Sequence, residues 1–153
     1  MNNFLCAFGL VACGVIVAQP SAATVFPSFT TIYIGSGVLG SPAALSTIHC
    51  TNVSGVTVSV RFQFLSPAGS TAGSHTASLN HGVTYGVSTG DTQIYTEGFF
   101  FDPAIALAEG GINVESTNSA VFCTAKTTTA GNSQPIGYVI PLVRVNPHPG
   151  TVE

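Results

Sequence analysis

The sequence predicts an all-β domain, an antiparallel β-sandwich of about seven or eight strands. Three observations carry this. Apolar and polar residues alternate with a period of two in several segments, the pattern of a strand with one dry and one wet face. Clusters of Gly, Pro, Asn and Ser interrupt those segments at the short spacing of a sandwich. Only 6% of the residues are charged, against about 25% in an average soluble domain, so the Lys and Glu that favour helices are scarce. A hydrophobic content of 45% and a net charge of only -3 argue against disorder. The length of 153 residues suits one domain with a real core.

From the start of the chain, Phe4 to Ala18 runs without a charge or a strongly polar side chain. That is short for a membrane span and right for the apolar centre of an export signal. Pro20 breaks the run, and Ser21-Ala22-Ala23 supplies the small residues a signal peptidase reads. The expected plan is therefore a signal peptide over 1–23, a β-sandwich over 24–145 and an extended tail over 146–153. Asn2 and Asn3 stand where Lys or Arg is usual. The alternative is lipid attachment at Cys13, which follows Leu10-Val11-Ala12, but apolar residues continue beyond it. The expected location is secreted or periplasmic, with no stable membrane span in the mature chain.

Within the domain the clearest strand places Val56, Val58, Val60, Phe62 and Phe64 on one face and Thr57, Ser59, Arg61 and Gln63 on the other. Before it, Ile48 and Cys50 alternate with Thr47, His49 and Thr51, and Asn52-Val53-Ser54-Gly55 reads as the turn of a hairpin joining the two. Asn52-Val53-Ser54 also has the spacing of a glycosylation acceptor. Val121, Cys123 and Ala125 form the apolar phase of a later strand. The last strand, 136–145, carries Pro141, which removes a ladder donor and marks an edge or a bulge. Weaker strands are expected over Phe29–Val38, His75–Asn80, Val83–Val87, Asp91–Glu97 and Ile112–Thr117. Turns are expected at Ser66–Gly69, Asn80–Gly82, Thr89–Asp91, Gly110–Gly111 and Ala130–Asn132. One helical turn is expected over Pro103–Glu109, capped by Asp102. The general architecture is immunoglobulin-like, without the core Trp of true immunoglobulin domains and with Val121 in place of their corner Tyr.

Removal of the signal takes Cys6 and Cys13 with it and leaves Cys50 and Cys123. An even pair in an oxidising compartment reads as a disulfide. Each lies on the apolar phase of its strand, suggesting a bridge across the core. The competing reading is a catalytic thiol helped by His49, but adjacent strand residues face opposite ways.

The stretch His49-Cys50-Thr51-Asn52-Val53-Ser54-Gly55, the later Phe122-Cys123-Thr124-Ala125 and the closing Arg144-Val145-Asn146-Pro147-His148-Pro149-Gly150 resemble an uncharacterised family of small secreted bacterial two-cysteine β-sandwich proteins. In these, a Cys-Thr-Asn segment, a Cys-x-Ala strand and an Arg-x-Asn-Pro-x-Pro-Gly terminus recur. The resemblance implies export and a two-cysteine domain, and no catalytic residues.

Function is read mostly by exclusion. Three basic residues cannot form a phosphate-binding surface, so nucleic acid is not an expected partner. No Ser-His-Asp hydrolase triad is supported, and there is no phosphate loop of the Gly-x-x-x-x-Gly-Lys type. His75 and His81, with Asp91 or Glu97, are the one combination suggestive of a metal, though without a short-spacing ligand motif. Glu97, Asp102, Glu109 and Glu115 offer carboxylates without a fixed separation. Phe99-Phe100-Phe101 cannot all face one core if extended, so part of this run is a candidate interaction surface. The expectation is a non-enzymatic exported structural or surface-interaction protein. It uses no cofactor or metal and engages a protein partner or a second copy of itself. Alternatives are a periplasmic ligand- or metal-binding domain and a fimbrial or adhesin-type subunit.

Overall fold

The computed structural model describes residues 25–129 and 137–145. The expected signal peptide, the turn at 130–132, Ile136 and the tail over 146–153 lie outside the described residues. Among those described there is no helix, and hence none long and apolar enough to cross a membrane.

Ten strands are formed: β1 (Val25–Ser41), β2 (Ala44–Asn52), β3 (Val58–Leu65), β4 (Thr71–Leu79), β5 (Thr84–Ser88), β6 (Phe99–Phe100), β7 (Leu107–Asn118), β8 (Val121–Thr129), β9 (Gly137–Ile140) and β10 (Leu142–Arg144). The excess over the expected seven or eight comes from short pieces, β6, β9 and β10. Hydrogen bonding makes one network in two layers. One layer runs β4-β3-β7-β1-β10 and the other β9-β8-β2-β5-β6, joined at the β1–β2 hairpin where Ser41 pairs with Ala44. All pairings are antiparallel except β5 with β6.

The alternation in β3 is realised in full. Val58, Val60, Phe62 and Phe64 are buried while Ser59, Arg61, Gln63 and Leu65 are half-exposed. Val56 falls outside the strand and is exposed. Ile32, Phe62, Phe64, Ile112 and Val114 from the first layer bury against Ile48, Cys50, Val87, Ala125 and Ile140 from the second in one core. Cys50 and Ala125 are small members of this buried cluster.

Several expectations are corrected. The segments on either side of Asn52–Gly55 do not form a hairpin, because β2 pairs with β8 and β5 whereas β3 pairs with β4 and β7. The connection crosses between layers. Asn52 fastens it: its buried amide donates to the carbonyls of Val56 at 2.6 Å and Leu79 at 2.8 Å. With both amide hydrogens so placed, the folded domain presents no accessible glycosylation acceptor there. Gly110 and Gly111 lie inside β7 rather than in a turn, because a Cβ at Gly110 would strike the Leu65 carbonyl of the neighbouring strand. Asp91–Glu97 is a loop and not a strand, and Pro103–Glu109 contains no helical turn and feeds directly into β7. Pro141 divides the last strand, sending β9 to β8 in one layer and β10 to β1 in the other.

Candidate functional site

Cys50 and Cys123 are bonded. They sit directly opposite one another on neighbouring strands, with Cα atoms 4.1 Å apart. The bridge therefore lies within one layer and not across the core. Identical phase on two registered strands explains it, since facing residues share a face.

His49 takes the other face, as its adjacency to Cys50 requires. There the loop from Asp91 to Gly98 folds over it. The Tyr95 ring meets the imidazole edge-on at 5.4 Å, and the Lys126 ammonium lies 3.9 Å from the Tyr95 ring centre. Glu97 accepts a hydrogen bond from the Thr92 hydroxyl. Burial, and then the Lys126 charge, push the His49 pKa down, while Glu97 pulls the other way.

The Phe run is split by the strand geometry of β6. Phe99 stacks on His75 with 3.9 Å between ring centres, and Phe101 meets Phe64 edge-on at 5.8 Å. Both pack against the core, while Phe100 points away and stays 39% exposed. Tyr85 donates its hydroxyl proton to the Gly98 carbonyl at 2.9 Å. Its oxygen is then the acceptor for His75 Nε2–H, 3.2 Å away. Burial lowers the His75 pKa.

The suggested metal combination is not assembled. His75 is engaged with Tyr85 and Phe99, whereas His81 accepts the Gly55 backbone N–H through Nδ1 at 3.0 Å. Among the described residues no group of three or more His, Cys, Asp or Glu is placed to hold a metal ion. The four acids considered for paired-carboxylate work are dispersed: Glu115 pairs with Arg61, Glu97 with Thr92, and Asp102 and Glu109 line different depressions.

What the fold does assemble is a cleft of about 510 Å³ on the outer side of the β2 layer. Pro42, Leu45, Phe101 and Ala104 give it apolar walls. Phe100 borders it, and Ser41, Asp91, Gln93 and Asp102 supply polar groups. The loop that covers His49 thus presents Asp91 and Gln93 to the cleft. Gln93 holds a positive φ of 56° beside the Asp91 carboxylate, which accepts its N–H at 3.0 Å. Of these residues the sequence pointed to Asp91, Asp102, Phe100 and Phe101. It missed Ser41, Pro42, Leu45, Gln93 and Ala104, which come from three separated segments with no periodic signal.

A second exposed feature involves β9, at the edge of that layer, and β10 with its β1 partner, at the edge of the other. Tyr138, Val139 and Val143 are 71%, 82% and 60% exposed, and Ile34, paired with Val143, is 45% exposed. Arg144, the one charge on this edge segment, turns instead to the Tyr33 hydroxyl and the Ser119 carbonyl. No protein-family model, curated protein or solved structure matches the chain.

Proposed function

We propose that this is a non-enzymatic, exported surface-interaction protein whose contact face is the β9–β10 edge. The observation that supports the reading is the exposure of four large apolar side chains, Tyr138, Val139, Val143 and Ile34, on these strands and the paired stretch of β1. Among the described residues β9 pairs only with β8, and β10 only with β1, so each leaves one row of backbone groups without a strand partner. Exposed edges are normally guarded by charge or proline; here Pro141 lies between the two strands, and the one charged side chain, Arg144, is turned to Tyr33 and Ser119. Exposed apolar side chains of this size gain stability by packing against a protein surface or a second copy of the chain. The disulfide fits an oxidising compartment, in keeping with the export signal read from residues 1–23.

Sedimentation velocity of the oxidised protein across a concentration series tests this. Self-association is the simplest expected result, and V139K with V143K is expected to weaken it at least about tenfold without changing the fold. A protein that stays monomeric throughout, and whose exported cell-surface fraction does not change between wild type and the double variant, would overturn the reading.

A second reading, a ligand-binding domain, is favoured by the cleft beside β6.

A further inference from the structure

We propose that this cleft binds an organic cation, an ammonium or guanidinium group carried on an aliphatic stem. The inference is independent of the β9–β10 edge. The chain has three Lys and Arg residues, and each is engaged elsewhere. Arg61 pairs with Glu115 and lies over the Phe29 ring, Lys126 lies over Tyr95, and Arg144 is held by Tyr33 and Ser119. No lysine or arginine of the chain is left to neutralise Asp91 and Asp102. Among the described residues the Asp102 carboxylate and the Gln93 side-chain amide have no hydrogen-bond partner. Asp91 uses one oxygen, on the Gln93 N–H.

The cavity gives those carboxylates something to act with. Leu45, Pro42 and Ala104 form a wall for methylene groups, and the exposed Phe100 ring borders the same space. A cationic head reaching the carboxylates makes charge-assisted hydrogen bonds, and the ring face adds attraction for the same charge. The stem lies along the apolar wall, as the stems of Lys and Arg do on protein surfaces. The volume of about 510 Å³ falls within the range of small-molecule clefts. An anion would meet two like charges. A bare divalent metal wants six or more oxygen ligands around it, more than an apolar-walled cleft with a few polar groups supplies.

The chemistry is the same for a free amine and for a basic side chain on a peptide, so both are titrated. The oxidised, 15N-labelled protein is followed by NMR with agmatine, with N-acetyl-lysine amide, with 1,5-pentanediol as a neutral stem of similar length, and with calcium chloride. Agmatine or the lysine amide is expected to shift the amides of Asp91, Gln93 and Phe100, and whichever binds more tightly identifies the source. D91N and D102N are each expected to weaken binding about tenfold, with E109Q, in a different depression, unchanged. Raising salt from about 0.02 M to about 0.2 M is expected to weaken it severalfold. The proposal is overturned if pentanediol or calcium binds as well as the amines, if D91N/D102N retains wild-type affinity, or if neither amine shifts these amides at about 20 mM, the range of very weak binding.

Discussion

A partly buried imidazole ties stability to pH, and two such groups meet that condition here. His49 lies beneath Tyr95 with Lys126 nearby, and His75 is stacked on Phe99; burial lowers the pKa of both from the ordinary 6.5. A folded state with lowered histidine pKa values holds fewer protons than the unfolded chain in the window just below 6.5. Stability is therefore fully present above about pH 6.5 and is lost as pH falls through the lowered values. The expected result is a melting temperature that drops between about pH 7.5 and about pH 5, with a smaller drop in H49Q. Because the Lys126 charge is the second cause of the His49 shift, K126M is expected to move the His49 NMR titration back toward 6.5. A wild-type His49 that titrates at its ordinary value would remove the basis for this. The sequence placed His49 on the face away from Cys50, since strand alternation alone decides that. It was silent on Tyr95, Glu97 and Lys126, which reach the imidazole from a loop and another strand.

Strand β3 shows how much an element's pattern carries. Its buried phase, Val58, Val60, Phe62 and Phe64, was readable because period-two alternation needs no knowledge of a partner. Truncating a fully buried ring there removes both its burial and its packing. F62A and F64A are each expected to cost about 3–5 kcal/mol in urea unfolding, whereas V56A, exposed and before the strand, is expected to change stability by less than about 0.5 kcal/mol. Equal losses at Val56 and Phe62 would mean that the strand begins earlier than β3 does. The partner of an element was much less legible. The Asn52–Gly55 turn and two flanking alternations suggest a hairpin, yet the same signs suit a crossover between layers, where Asn52 caps the connection from within. Segments around the cleft were least legible. Asp91–Glu97 carries strand-like residues, but the loop is held by side-chain contacts to His49 and Lys126, and no periodicity encodes those.

At the scale of the whole molecule, the Cys50–Cys123 bridge does most through the unfolded chain. It closes a loop spanning 73 positions that contains β3 to β7, which includes most of the first layer. Confining that loop lowers the entropy of the unfolded ensemble, a stabilisation of about 4 kcal/mol on the chain-entropy model. In the folded state the bridge adds little that β2 and β8 do not already supply, because nine registered pairs from Ala44–Thr129 to Asn52–Val121 hold those strands together. Reduction is therefore expected to shift the urea midpoint strongly downward while leaving the far-ultraviolet circular dichroism at zero urea unchanged. C50A/C123A is expected to behave like the reduced protein, with a further small loss from the space left at the fully buried Cys50. The two measurements separate the explanations. A lost spectrum on reduction would mean that the bridge organises the folded sheet itself. An unchanged midpoint would mean that the unfolded chain is already confined without it.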